Sequence, residues 1–400
     1  MSLRPLGRPR PLYATCDAAG EEALAHELVK LRCKEVSPAH RGVYFFGGEE
    51  ELWRVNIYSR LANRILIPLV EFKAKDRAAL YASCMEIRWD WWVHTSQTIS
   101  VDASSHKSEL QHTHFIAQVV KDAVVDSLRE RFEERPSVDT QNPDLPINAR
   151  LSEDMCTISL DASGARLHRR GYREDGGPAP LKETLASLLN HLIKWRPNEP
   201  MIDLTCGSGT LIIEAALRAM MVPPGQARLE AEGFAFQRWR SHAKHKFEAW
   251  RLNAPKPNPL PAHFWGSDLV DKQINRAMAN ATKAGVDPTQ IHWQRGDFNE
   301  TAVLASNWLN HLHSSTKEEE RRAVLLMNLP YGERLNSDHA ESVKLFRDLG
   351  AQLKRYFVGC EAWLLVSDES PWREIGLKPS SQTALRNGSI PVKLVQFKLY

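Results

Sequence analysis

The stretch Met201-Ile-Asp-Leu-Thr-Cys-Gly-Ser-Gly-Thr210 decides the fold. Residues 200–204 read as a buried strand, Gly207 and Gly209 supply a sharp turn, and residues 210–220 carry the apolar spacing of a helix. A strand that turns through glycines into a helix sits at the carboxyl edge of a parallel sheet, where α/β folds hold their ligands. Working outward, a helix over 182–194 precedes the turn. Strands over 264–267, 291–294, 323–327 and 361–366 follow it, with helices over 272–284 and 342–357. Alternating strands and helices predict an α/β domain built on a mostly parallel sheet.

The acids near this turn narrow the ligand. A dinucleotide fingerprint needs a third glycine, but Leu211 and Ile212 follow Thr210. Asp203 stands four residues before Gly207, where it would repel a diphosphate and accept a hydrogen bond from a cationic amino group. That favours S-adenosylmethionine over a dinucleotide. Asp268 ends the strand Phe264-Trp-Gly-Ser-Asp268, where a carboxylate suits two ribose hydroxyls; capping the next helix is the plainer alternative. Asp297 ends the following strand and is placed to accept from an adenine amine, with Phe298 beside the ring.

The chemistry-bearing segment is Leu325-Leu-Met-Asn-Leu-Pro-Tyr-Gly-Glu-Arg334. A hydrophobic strand runs straight into Asn328, Leu329, Pro330 and Tyr331. The exocyclic amine of a nucleobase is a poor nucleophile, because its lone pair is delocalised into the ring. The side-chain oxygen of Asn328 and the carbonyl of Leu329 each suit one of its N–H groups, drawing the nitrogen toward a tetrahedral form. Pro330 stiffens the turn and brings no competing N–H, and Tyr331 offers a ring for an extruded base. A strand ending in an ordinary Asn-Pro turn is the bland counterpart.

Composition sets the outer bounds. The chain has 400 residues, 42% hydrophobic and 25% charged, which suits two or three soluble domains. No run of about 18 apolar residues predicts a membrane span, and no apolar leader follows the basic start. Six scattered cysteines without a CxxC pair argue against a metal ribbon or a disulfide scaffold and suit a reducing cytoplasm. The net charge of +3 announces no nucleic-acid partner. Two local stretches do: Arg166-Leu-His-Arg-Arg-Gly-Tyr-Arg173, and residues 237–256, where six basic residues are interleaved with Trp239, Phe247 and Trp250. Such stretches can neutralise phosphates and stack on bases; a solvated face with half-buried rings is the alternative.

Upstream, residues 12–67 read as strand (12–15), helix (21–34), strand (42–46) and helix (49–61). Strands over 66–70, 98–101, 147–151 and 156–161 and a helix over 115–132 complete an antiparallel, helix-backed α+β module with no catalytic constellation.

At these residues the chain resembles the THUMP-domain guanine-N2 RNA methyltransferases. It is most similar to the N-terminal, N2-methylguanosine-forming half of the bacterial 23S rRNA methyltransferases of the RlmL type. The resemblance runs through Leu12-Tyr-Ala-Thr-Cys16, Gly42-Val-Tyr-Phe45, Tyr58-Ser-Arg-Leu-Ala-Asn-Arg-Ile65, Leu167 to Arg173, Leu181-Lys-Glu-Thr-Leu185, Cys206 to Leu211, Gly266-Ser-Asp268 and Asn328 to Arg334. It implies a ferredoxin-like part (1–60), a THUMP RNA-binding domain (61–165), a basic linker (166–180) and a class I, Rossmann-like methyltransferase domain (181–400). It also implies that Asp203, Thr205, Cys206, Gly207, Gly209 and Thr210 hold the methionine end of S-adenosylmethionine, with Asp268 on the ribose and Asp297 on the adenine. Lys182 and Thr184 become further contacts, and Asn328 to Tyr331 receive the base; no metal is expected. Leu329 stands where the RlmL pattern usually has Pro, as in relatives that act on tRNA, and the second methyltransferase half of fused versions is absent. The readings left open are rRNA or tRNA guanine-N2 methylation, adenine-N6 methylation of DNA, and a non-catalytic RNA-binding assembly factor.

Overall fold

The computed structural model describes residues 6–173, 181–253, 255–260, 263–313, 323–329 and 339–400. The chain divides into two compact units: Met1–Cys16, Gly20–Arg169 and Gly225–Pro255 form the first, and Asp17–Ala19, Arg170–Pro224 and Lys256–Tyr400 the second.

The first unit is built on β1 (Arg10–Thr15), α1 (Glu21–Lys30), β2 (Lys34–Ala39), β3 (Gly42–Gly47), α2 (Glu49–Tyr58), β4 (Arg64–Lys73), α3 (Arg77–Met85), β5 (Thr98–His106), α4 (Thr113–Phe132), β6 (Ser137–Val138), β7 (Leu145–Ser152) and β8 (Met155–Asp161). One eight-stranded sheet runs β2-β3-β1-β4-β8-β7-β5-β6. Strand β4 joins the two halves that the sequence separates near residue 60, pairing with β1 through Ala14↔Ile65 and with β8 through Val70↔Ile158. Helix α4 buries Ile116, Val119, Val120, Ala123, Val124 and Leu128, the face its spacing predicts. Two features differ from the sequence reading. Helix α1 ends at Lys30 rather than Lys34, and strand β2 is added after it; none of its residues is buried, so no apolar pattern marks it. Strands β5 and β7 are parallel, not antiparallel, because α4 lies between them in sequence and supplies the crossover a parallel pair requires.

The second unit contains α5 (Glu183–Leu192), β9 (Met201–Asp203), α6 (Thr210–Ala219), β10 (Phe264–Asp268), α9 (Asp271–Lys283), β11 (Ile291–Arg295), α10 (Phe298–Leu312), β12 (Val324–Asn328), α11 (His339–Tyr356), β13 (Glu361–Ser367), β14 (Ser381–Asn387) and β15 (Ile390–Lys398). Its sheet runs β11-β10-β9-β12-β13-β15-β14, parallel as far as β13 and antiparallel beyond it. Ile202, Leu204, Trp265, Leu325, Met327 and Leu364 enter one core with Ala302, Ala305 and Leu309 of α10 and Phe346, Leu349 and Leu353 of α11. The opposite face meets α6, where the Cα of Gly266 lies close to Ile212 and Trp293. The closing β14–β15 hairpin adds to the elements expected from sequence, although Asn387-Gly388 ahead of an alternating apolar strand is a hairpin signature.

Residues 225–255, expected within the methyltransferase domain over 181–400, fold with the first unit and contribute α7 (Gln226–Glu230) and α8 (Lys244–Arg251). The amide of Gly225 donates to the Ile57 carbonyl at 2.9 Å, and Phe247 packs edge-on against Trp53 with centroids 5.2 Å apart. Phe247 and Trp239 are buried, so they are core rather than base-stacking platforms. Lys246 pairs with Glu49 at 3.3 Å and Glu50 at 3.8 Å. The arginine-rich linker divides likewise. Arg166 and Arg169 are exposed, but Arg170 is buried beside Glu214 at 3.7 Å, which removes it from any RNA track. Among the described residues no helix is long and apolar enough to cross a membrane.

Candidate active site

Strand order places the carboxyl ends of β10, β9 and β12 side by side. The chain reverses its direction of travel across the sheet between β9 and β12, the position at which open α/β sheets form a binding crevice. Register refines this. Asp203 is level with Gly266, Asp268 lies two residues further along β10, and Met201 is level with Val324, four residues before Asn328. Side chains alternate along a strand, so Asp203, Asp268 and Asn328 all fall on the α6 face, opposite the apolar core.

The glycine turn is rigidly held. Gly207 and Gly209 take left-handed φ values of +53° and +81°. A Cβ on Gly209 would lie 3.0 Å from both Ala277 and Trp293, whereas one on Gly207 would meet nothing within 4 Å. Gly209 is therefore required by packing as well as by its backbone, and Gly207 borders open space. The Cys206 amide donates to the Ser267 carbonyl at 2.8 Å, the Gly209 amide to the Cys206 carbonyl at 2.9 Å, and Asn280 Nδ2 to the Ser208 carbonyl at 3.1 Å. The Cys206 thiol is buried, and burial holds its pKa well above the usual value. Thr210 opens α6 without a side-chain cap, so the first amides of that helix remain donors for an anion.

Two carboxylates face this turn. Asp203, 1% exposed, accepts the Thr205 amide at 3.0 Å and its hydroxyl at 3.4 Å. Burial, with a smaller contribution from Asp268, pushes its pKa up to about 8. Asp268 accepts the Gly207 amide at 2.9 Å through Oδ2 and the Val270 amide at 2.9 Å through Oδ1. Among the described residues neither acid has a Lys or Arg ion-pair partner, so the pair lacks a cation. Asn328, the last residue of β12, has a buried Oδ1 with no hydrogen-bond partner among the described residues. An amide oxygen left bare in the interior costs about 1–3 kcal/mol, so a donor for this acceptor has to come from outside the described residues.

The remaining expected site residues are placed as follows. Asp297 caps α10, its Oδ1 accepting the Asn299 amide at 2.8 Å. Phe298 and Leu329 lie in the apolar core. Thr184 is buried and donates to Asp17 at 3.1 Å, and Lys182 pairs with the same acid at 3.4 Å. Pro330 and Tyr331 lie outside the described residues.

The sequence reading missed the parts that hold the turn: Asn280, Trp293, and a buried network beneath α6. There Tyr172 donates to Glu214 at 3.0 Å, Ser187 donates to its other oxygen at 2.7 Å, and Arg173 donates to the Thr210 hydroxyl and to the Leu181 carbonyl. Glu214 is fully buried. A charged residue within an apolar helical run was the only available signal.

Comparison with known proteins decides the family. Residues 170–396 match the RMKL-like methyltransferase domain, residues 74–161 the THUMP domain and residues 11–66 the RlmL ferredoxin-like domain. The chain belongs to the RMKL-like methyltransferase family. It is 35% identical to "Putative RNA methyltransferase slr0064" of Synechocystis sp. over 98% of this chain and 97% of that one. It is also 35% identical to "Ribosomal RNA large subunit methyltransferase K/L" of Syntrophotalea carbinolica, matching 98% of this chain but 54% of the relative. The chain thus spans about half the length of the K/L relatives it matches. Among solved structures, "SMU.472, a putative methyltransferase complexed with SAH" superposes with a TM-score of 0.82 at 27% identity, covering 98% of this chain and 99% of the other. The expected fold, an α/β methyltransferase domain preceded by ferredoxin-like and THUMP parts, is the one observed.

Proposed function

We propose that this methyltransferase forms N2-methylguanosine in the 23S rRNA of the large ribosomal subunit, in the cytoplasm, with S-adenosylmethionine as methyl donor. The observation that carries this reading is the buried Oδ1 of Asn328, which has no hydrogen-bond partner among the described residues, beside the strand that ends in Asp203. A shell retained only for RNA binding would have no reason to keep an acceptor there that no described residue satisfies.

The residues present fit the cofactor. Among the described residues Asp203 and Asp268 have no cation partner, Gly207 borders open space, and the uncapped start of α6 offers amides to a carboxylate. When bound, S-adenosylmethionine supplies a methyl group on a positively charged sulfur. Asp203 would accept from its amino group, and Asp268, whose carboxylate oxygens each keep a free lone pair, from the ribose hydroxyls. Thr205, Cys206, Gly209 and Thr210 complete the turn and Asp297 would sit toward the adenine, while Phe298, in the apolar core, would back the strand end rather than face the ring, and Thr184 would support the turn from α5. Asn328 Oδ1 and the Leu329 carbonyl would accept the two N–H groups of the guanine amine, and Pro330 and Tyr331 would hold the base. Accepting a hydrogen bond from each N–H localises the nitrogen lone pair, which is this chain's own contribution to the reaction.

The K/L relatives carry the large ribosomal subunit in their name, which supports rRNA over tRNA. The test is methyl transfer from labelled S-adenosylmethionine to RNA from a strain lacking the gene, followed by nucleoside mass spectrometry. N2-methylguanosine in 23S rRNA is expected. N6-methyladenine, or label confined to tRNA, would overturn the assignment.

A further inference from the structure

The first unit contains a polar cleft of about 550 Å³, lined by none of the residues of the site above. Five arginines line it: Arg64 from β4, Arg166 and Arg169 from the segment after β8, and Arg228 and Arg238 from the stretch that includes α7. Their states differ. Arg64 is paired with Asp161, and Arg238 with Asp144 at 3.5 Å. Arg228 is buried, and its guanidinium donates to the carbonyls of Ser163, Ala165 and Gly233. Among the described residues it has no carboxylate at ion-pair distance, and burial pulls its pKa down to about 10. Arg166 and Arg169 stand exposed at the rim, likewise without an ion pair among the described residues. Three acids, Asp102, Asp161 and Glu232, share the lining and Asp144 pairs with Arg238 beside it, so five arginines meet four carboxylates.

The buried Arg228 guanidinium rests on carbonyls and over the Phe234 ring at 4.7 Å, and Glu232 and Asp161 attract it only from beyond ion-pair distance, so its lost hydration is incompletely compensated. Such a group is stabilised when an anion enters. The planar fork of arginine matches phosphate oxygens, and two rim arginines beside it provide for successive groups rather than one small ion. We infer that this cleft binds the phosphodiester backbone of the substrate RNA, with Arg166 and Arg169 touching phosphates directly above a floor set by Arg228. The inference rests on the RNA-methyltransferase reading and locates where the first unit grips its substrate.

The experiment is a salt titration of the full chain binding a fluorescent 20-nucleotide single-stranded RNA. Arg166→Ala combined with Arg169→Ala should lower the slope of log affinity against log salt by about 0.7 for each phosphate no longer neutralised. Both residues are exposed, so folding is unaffected, and an unchanged thermal shift with S-adenosylmethionine verifies it. The control pair Lys30→Ala and Lys34→Ala, also exposed, removes the same charge elsewhere on this unit and should keep the wild-type slope. A wild-type slope in the arginine variant, or an equal loss in the control, overturns the cleft. The two readings fail separately. A retained slope in an enzyme that methylates RNA sinks the cleft alone, whereas an arginine-dependent slope in a protein that methylates no RNA sinks the methyl-transfer assignment and leaves the cleft standing.

Discussion

Asp268 Oδ2 accepts the amide of Gly207 at 2.9 Å, so the acid that ends one strand fixes the glycine turn that follows its neighbour. The same carboxylate holds the Val270 amide through its other oxygen. Asp268→Ala frees two backbone donors and, on the proposed reading, removes the ribose acceptor as well. Bonds to a charged group contribute about 1.5–3 kcal/mol each, so S-adenosylmethionine affinity should fall at least tenfold by calorimetry. Unchanged affinity would reduce Asp268 to a structural tie.

Asn328→Ala separates chemistry from folding. If Asn328 accepts the amine as proposed, its removal should cost on the order of 100-fold or more in kcat. The variant also deletes a buried oxygen that has no partner among the described residues, so thermal stability should hold or rise slightly, and cofactor affinity should persist. Wild-type turnover would refute the role.

Asp203 makes the site pH-dependent. Its pKa of about 8 in the fold exceeds the ordinary aspartate value of 3.8, so the folded protein holds this proton more tightly than the unfolded chain. The associated stability is complete below about pH 4 and is lost as pH rises toward 8. A cation prefers the ionised form, so cofactor affinity should increase with pH and level off above about 8. Calorimetry in two buffers of different ionisation enthalpy should detect proton release near pH 7. Asp203→Asn should abolish that release; release from the Asn variant would assign the proton to another group.

Gly209→Ala meets two obstacles, a φ of +81° and neighbours 3.0 Å from the new methyl. The expected cost is about 1–3 kcal/mol of stability, with weakened cofactor binding. Gly207→Ala shares the left-handed φ but has open space around it, so its stability cost should be the smaller. Denaturant melts of both variants test the ranking.

Tyr172→Phe leaves the buried Glu214 without one donor, and Arg170→Ala leaves it without its nearby cation. The first should cost about 1–3 kcal/mol and the second about 3–5 kcal/mol. Neither should alter the salt slope of RNA binding. A shallower slope in Arg170→Ala would return that residue to the RNA surface.

The sequence by itself determined the parts that repeat a local rule. The strand–glycine–helix stretch at 201–210, the apolar face of α4 and the strand running into Asn328 each carry their periodicity or turn chemistry within a few residues. Only tertiary structure decided the rest. Strand β2 has no buried face to write a pattern, and the parallel pairing of β5 with β7 is a choice between distant partners. The basic, aromatic stretch at 237–256 reads like a nucleic-acid surface until Trp53, far away in sequence, turns Phe247 into core. Likewise Arg170 is a linker cation in sequence and Glu214's neighbour in space. In the site, residue types pointed to the acids and the amide, but that Asp203 lacks a cation and that Asn328 Oδ1 lacks a donor among the described residues are facts about what other segments do not bring. Partners separated by tens of residues meet only when the sheet closes, and burial, which shifts the Asp203 proton and exposes the Asn328 deficit, has no value before that.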